Sequence, residues 1–357
     1  MLAAWQTFKA ESHALVPLAR GGPVTSHRPG RWWGAPGWLA LLACVLFSQA
    51  FGSAAGAFPW AVPGRIQAFP GNPVLAPGPA GSWDSGALGS LTVLRVDGVW
   101  HLYYEAWGVR GHSSADYNSL QIGHATSRDG LNWVKDPANP VLPKGSGGDW
   151  DRDGTWDPFV LHEEGVFKMW YGGGMDAHCD WGCAESRDGV HFVKKGRISR
   201  LGNVEDCHVV HDGSAGRYFM YYWDRQHEPA GLYRAASTNG MNFDFAHASP
   251  VRIQGLKRPG MHKFTQVFLA EGKWRMFFGE FIRPGCQGCR SGTATSADGL
   301  RWTVTNEDLL TGQDLEVIGL GGDVWLMYYG PDGYFDQARC DIRLAVYQGP
   351  LDQLDRP

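Results

Sequence analysis

The apolar positions of this chain fall in short runs, and none extends into a long helical face. Five runs have the same layout: LTVLRVDG (91–98), FVLHEEG (159–165), HVVHDG (208–213), QVFLAEG (266–272) and VIGLGGD (317–323). Each is the length of one strand and stops at a turn residue. Each is followed at once by an aromatic run: WHLYYEAWG (100–108), FKMWYGGG (167–174), YFMYYWD (218–224), WRMFFGE (274–280) and WLMYYG (325–330). A third pattern comes after the first four of these pairs: IGHATSRDGLNW (122–133), WGCAESRDGVHF (181–192), LYRAASTNGMNF (232–243) and SGTATSADGLRW (291–302). Its Asp-Gly or Asn-Gly step predicts a tight hairpin between two more strands. The serines of this third pattern, Ser127, Ser186, Ser237 and Ser296, are 59, 51 and 59 residues apart.

One unit is therefore four short antiparallel strands in about 50 to 67 residues, and it recurs five times. Repeats of this size and strand content predict an all-β, five-bladed β-propeller over residues 58–350, followed by a short tail at 351–357. The fifth unit lacks its outer strand. The segment Arg65 to Phe69 is expected to supply it, which would close the ring and remove an exposed sheet edge. Two further stretches, NPVLAPGPAGSWD (72–84) and NPVLPKGSGGDWD (139–151), repeat as connectors between blades.

Composition changes this picture at the N-terminus. Arg20, Arg28 and Arg31 precede GWLALLACVLFSQAFGSAAGAF, and no charged residue occurs between Arg31 and Arg65. Residues 1–57 read as a signal peptide ending near Ala55–Ala57, with an uncleaved anchor as the alternative. Export to a secreted or periplasmic location would leave six cysteines in an oxidising compartment. A local disulfide, Cys179–Cys183 or Cys286–Cys289, is then expected. Cys286-x-x-Cys289 has no second pair of ligands at metal spacing, so no metal or other cofactor is expected. The net charge is −4 with no basic cluster, which argues against a nucleic-acid partner. With 17 tryptophans, a β-rich core is expected, and a few of them are candidates for sugar stacking.

In a propeller the first strand of each blade lines the axis, so residues far apart in sequence converge at one mouth. Alignment on the aromatic runs puts Leu91, Pro158, Cys207, Thr265 and Glu316 at one level. Asp157, Glu205 and Asp206 then enter the axis on neighbouring blades. Clustered carboxyl groups push one another's pKa values apart, which leaves one protonated and one ionised, the pair that general acid–base chemistry needs.

The motifs TWDPFV (155–160) and VEDCHV (204–209) resemble the second- and third-blade motifs of five-bladed glycosidases, glycoside hydrolase families 43 and 32 and their relatives. The resemblance covers nearly all of residues 66–350. It implies that Glu205 is the general acid and that Asp157 orients it or steadies the transition state, with Asp206 as a further participant. It also implies a base on blade one, where this chain has Ser90. Asp84 in the preceding connector is the nearest carboxylate, although its recurrence as Asp151 suggests a structural turn; Glu316 is another candidate base. Trp156, His208, His262, Lys263, Trp83 and Ser90 are the candidate sugar-binding residues, and Arg258 is a further cation at the mouth. A monomeric exported glycosidase acting on a polysaccharide or oligosaccharide follows. A glycoside phosphorylase of the same superfamily and a non-catalytic carbohydrate-binding propeller are the alternatives. No membrane contact beyond the N-terminal segment is expected.

Overall fold

The structure is a computed structural model. It describes residues 58–108, 119–175, 178–202, 204–224, 231–256, 261–270, 272–283, 287–331 and 341–356. The side chains of 175, 178, 205, 261–265, 280–283, 287 and 288 fall outside that description, as do residues 1–57 with the expected leader.

A short strand, β1 (Ile66–Ala68), comes first. Blade one is β2 (Ala87–Val96), β3 (Val99–Trp107), β4 (Gln121–Ser127) and β5 (Val134–Lys135). Blade two is β6 (Gly154–Glu163), β7 (Val166–Met175), β8 (His178–Ser186) and β9 (Val193–Arg197). Blade three is β10 (Val204–Asp212), β11 (Arg217–Asp224), β12 (Gly231–Ser237) and β13 (Ser249–Pro250). In blade four, β14 (Arg252–Gln254) adds a parallel edge to an antiparallel sheet of β15 (Met261–Ala270), β16 (Lys273–Arg283), β17 (Gln287–Ser296) and β18 (Arg301–Thr311). Blade five is β19 (Gln313–Gly321), β20 (Val324–Gly330) and β21 (Arg343–Gln348), completed by β1, with Ile66 opposite Tyr347 and Ala68 opposite Ala345. The innermost strands β2, β6, β10, β15 and β19 touch one another in a closed ring. The fold is thus a five-bladed propeller sealed by its own N-terminal strand.

Large apolar side chains fill the gaps between blades. Five buried clusters form, one at each blade junction. The Ser-x-Asp-Gly repeat has a role in these junctions. Ser127 Oγ accepts from Gly130 N (2.9 Å), and Asp129 Oδ1 caps the amides of Leu131 and Asn132. The glycine takes the left-handed φ of 73°, and its carbonyl is left facing the preceding blade. There Tyr328 OH donates to Gly130 O, Tyr103 OH to Gly189 O, Trp170 Nε1 to Gly240 O and Tyr221 OH to Gly299 O, at 2.6 to 2.9 Å. The turn is a side-chain-capped loop rather than the two-residue hairpin expected, because only its glycine is left-handed. Two-residue hairpins do occur between the first and second strands, at Asp97-Gly98 (φ 49° and 83°) and Glu164-Gly165 (φ 52° and 73°).

The tail forms one helical turn, α1 (Leu351–Leu354). Leu351 and Leu354 are buried at the junction of blades four and five. Arg275 on β16 ties the turn down, donating to Asp352 and, at 2.7 Å, to Asp355.

The expected Cys179–Cys183 bridge is absent, because both residues lie on β8. Four residues along an extended strand separate Cα atoms by roughly 13 Å, about twice what a disulfide spans. Cys183 is a buried free thiol, and burial pushes its pKa up to about 12. The Cys286–Cys289 pairing involves Cys286, outside the described residues.

Candidate active site

Every innermost strand carries a β-bulge, between Leu88 and Leu91, Trp156 and Phe159, Glu205 and His208, Phe264 and Gln266, and Gln313 and Glu316, and the blade-one bulge is set about one ladder step further out than the others. A bulge bends the strand and re-aims the side chains around it. In three blades its first residue is an aspartate in left-handed conformation: Asp157 (φ 44°), Asp206 (φ 48°) and Asp314 (φ 51°). Aspartate tolerates this region better than most residues with a Cβ, yet three at one level are a repeated device.

All three line one axial cavity of about 40 Å³, together with Ser90, Cys207, His208 and Glu316. Asp206, Asp314, Ser90 and Glu316 are buried, while Asp157 is partly exposed. Burial pushes the Cys207 thiol well above its ordinary pKa, with the nearby carboxylates Asp157 and Asp206 adding to the effect, so it stays protonated.

Just past the bulge, a ring of five side chains occupies equivalent ladder positions: Thr92, Phe159, His208, Gln266 and Glu316. Most of them engage the next blade. Thr92 Oγ1 donates to Pro158 O (2.6 Å), and the Phe159 ring packs on His208 with centroids 3.9 Å apart. Gln266 donates Nε2–H to Val317 O (2.9 Å) and accepts from Val317 N (3.0 Å). Glu316 accepts from the Val93 amide, and burial holds its carboxyl well above the ordinary range, so it is neutral. His208 differs from the other four. It is 5% exposed, neither ring nitrogen has a hydrogen-bond partner among the described residues, and burial lowers its pKa to about 3. It is a neutral imidazole with two unsatisfied polar atoms at the cavity wall.

The sequence-derived level needs one shift. Leu315, not Glu316, is equivalent to Pro158 and Cys207, because a second bulge between Gly319 and Gly321 offsets the blade-five hairpin. Asp314 therefore aligns with Asp157 and Asp206. The pattern W-D-P-F, E-D-C-H and Q-D-L-E, read across three blades, carries that signal. Glu205 lies on β10 opposite Trp223; its side chain is outside the described residues. The same holds for His262 and Lys263 on β15, and Arg258 lies outside altogether.

Three candidates sit elsewhere. Asp84 is not at the axis: it accepts from Ser82 Oγ (2.8 Å) and pairs with Lys135 of the outermost strand, with 3% exposure. Trp83 beside it stacks on Tyr104 at 6.1 Å and covers Gly123, so it is core rather than sugar platform. Asp151 and Trp150 repeat both roles in blade two, against Lys194 (2.6 Å) and Tyr171. Trp156 lies flat over Gly172, where any Cβ would collide with its indole, and does not line the cavity. One acid went unnoticed in the sequence. Glu105 on β3 is 4% exposed, and its Oε2 accepts from Asp157 N at 2.9 Å across the junction of blades one and two.

No protein-family model matches the chain. An uncharacterised protein of Mycobacterium tuberculosis, Rv1502, is 29% identical over 202 residues, covering 51% of this chain and 62% of that protein. A 1,2-beta-oligomannan phosphorylase of Thermoanaerobacter is 24% identical over 161 residues, covering 44% of this chain and 53% of that protein. The chain thus matches less than two thirds of either relative's length. Among solved structures, one from the GH130 family of mannoside phosphorylases, described as containing glycoside hydrolases that target beta-1,2 mannosidic linkages in Candida mannan, superposes with a TM-score of 0.62 at 17% identity, over 81% of this chain and 95% of that one. The chain has the five-bladed propeller fold of this glycosidase and phosphorylase superfamily.

Proposed function

We propose that this chain cleaves glycosidic bonds by hydrolysis at the axial mouth, with Asp157, Asp206 and Glu205 as its reacting acids. The observation that supports this reading most is the convergence of left-handed aspartates from three blades on one cavity. In such a reaction one carboxylic acid gives its proton to the departing oxygen, while a carboxylate activates water or attacks the anomeric carbon. The leader reading of residues 1–57 belongs to the same proposal and makes the enzyme an exported one.

Phosphorolysis is the second reading. The oligomannan phosphorylase similarity favours it, and His262 and Lys263, whose backbone belongs to β15, are its candidate phosphate-binding cations. β-1,2-linked mannooligosaccharides are the first substrates to try under either reading. The protein is incubated with them in the presence and absence of inorganic phosphate, and products are resolved by anion-exchange chromatography. Free mannose without phosphate is the expected result. Mannose 1-phosphate formed only when phosphate is added would replace hydrolysis with phosphorolysis. If no glycoside in a panel extended to arabinose-, xylose-, fructose- and galactose-containing glycans is turned over, the catalytic reading fails and the carbohydrate-binding one takes its place.

A further inference from the structure

We propose that Glu105 is a positioning residue that, with Thr92, clamps Asp157 in its left-handed conformation from the neighbouring blade. The inference rests on the proposed role of Asp157 at the mouth. Glu105 is the sixth residue of the blade-one aromatic run. The other four blades have Gly172, Trp223, Gly279 and Gly330 at that place, facing Trp156, Glu205, Lys263 and Gln313 on their first strands. In blade one the neighbours Tyr104 and Ala106 pair with Leu91 and Leu88, so Glu105 stands opposite the bulge at Gly89 and Ser90. Blade one therefore has no acid on its first strand and one on its second.

That carboxylate is buried, which is costly unless its oxygens are hydrogen-bonded. One of its partners is on blade two, where Oε2 accepts the Asp157 amide at 2.9 Å. The next residue is Pro158, which has no amide hydrogen and restricts the backbone of the residue before it. At the apex of this bulge, the Asp157 amide is thus the donor that remains. On the other side of Asp157, Thr92 Oγ1 donates to the Pro158 carbonyl at 2.6 Å. Two blade-one side chains thereby grip peptide groups on either side of Asp157: the Trp156–Asp157 peptide directly before it and the Pro158–Phe159 peptide one residue beyond it. Small displacements of a reacting group cost large factors in rate, so a clamp on a strained residue governs turnover more than affinity.

The test uses the full chain with Glu105→Gln, Glu105→Ala and Thr92→Val. The amide proton of Asp157, assigned through the displacement of its cross-peak in Asp157→Asn, is read by transverse-relaxation-optimised NMR, and kcat and KM are measured on a turned-over glycoside. Glutamine keeps an oxygen acceptor, so Glu105→Gln is expected to hold kcat within a few-fold. Glu105→Ala should lower kcat by about 10- to 100-fold with KM little changed, and Thr92→Val by a smaller factor. The Asp157 amide should move upfield in Glu105→Ala and much less in Glu105→Gln. Equal loss of kcat in both Glu105 variants would overturn the proposal, since it would show that charge matters and not the acceptor. So would an unmoved amide in Glu105→Ala. Should that variant not fold, Glu105→Gln and Thr92→Val decide by the same readouts. If the wild type turns over no glycoside, the functional reading fails alone, and the amide shift still decides the clamp.

Discussion

The connectors and the axis each hold aspartates buried beside aromatic rings, yet they are built differently. In the connectors, Asp84 and Asp151 sit on ordinary backbone, each closed by a lysine from the outermost strand of its blade, and each lysine also lies over a tyrosine ring at 5.8 or 5.9 Å. At the axis, Asp157, Asp206 and Asp314 sit on bulged, left-handed backbone and share one cavity with His208, whose ring nitrogens are unsatisfied. A buried acid with its own lysine is a clasp that staples a connector to a sheet. Acids that accept backbone strain to reach a common point hold a place that packing alone does not reward. Burial does not separate the two sets, since Asp206 and Asp314 are as buried as Asp84 and Asp151; backbone conformation and convergence do.

The largest effect that tests this contrast is on activity. Asparagine is at home in left-handed backbone, so Asp157→Asn and Asp206→Asn leave the bulges intact. Each is expected to lower turnover by about 10²- to 10⁴-fold, the range for removing a general acid or base. The thermal midpoint should hold or rise, because a crowded set of acids loses self-repulsion. Wild-type turnover in both variants, measured on any glycoside found to be turned over by the native chain, would end the claim that this set is the reacting one.

The connector acids should respond in the opposite sense. Asp84→Asn and Asp151→Asn leave Lys135 or Lys194 beside a neutral amide and break a mostly buried pair. About 2 kcal/mol of stability should be lost per site, less than for a fully enclosed pair because the lysines are about a quarter exposed. Activity should stay within a few-fold. Urea unfolding and turnover, measured on the same preparations, separate the two outcomes. An inactive but fully stable Asp84→Asn would return Asp84 to the mouth and erase the distinction.

These two sets also mark how far the sequence could be read. Blade number was legible because the Ser-x-Asp-Gly glycine and the aromatic residue before it bond to each other across every junction where both occur. The motif is the architecture, repeated. Blade five lacks that turn, and at its junction with blade four Phe277 replaces the hydroxyl donor. The hairpin there has an extra bulge, and so Asp314 slipped out of alignment by one residue. Glu105 was hidden for another reason: it sits inside an aromatic run whose pattern spells core, and its partner is a backbone amide 52 residues away. Asp84 is six residues from Ser90 in sequence, but the connector carries it outward onto Tyr104, a direction that spacing does not encode. Asp157 and Asp206 were found because the entry to the first strand of a blade has one destination in this fold.

Glu316 is a third kind of acid, and it gives the smallest of the expected effects. It occupies the place in blade five that Gln266 occupies in blade four. Gln266 closes both backbone groups of Val317, and Glu316 accepts the amide of Val93, the equivalent residue of blade one. A neutral carboxyl group can copy the amide, accepting with one oxygen and donating with the other. An ionised one has nothing to donate and is desolvated as well. Its folded-state pKa is raised by burial, whereas in the unfolded chain it titrates near about 4.3. Below that value both states are neutral and the stabilising contribution is complete. As pH climbs, the unfolded chain ionises first, so stability declines until the folded pKa has been passed. Glu316→Gln removes the titration and keeps the hydrogen-bonding shape. Unfolding midpoints in urea should therefore be close for wild type and Glu316→Gln near pH 4.5, with the variant the more stable at pH 8. Parallel profiles across that span would show that Glu316 is ionised at the axis, and it would then join the aspartates as a charged member of the site rather than a seal between the last blade and the first.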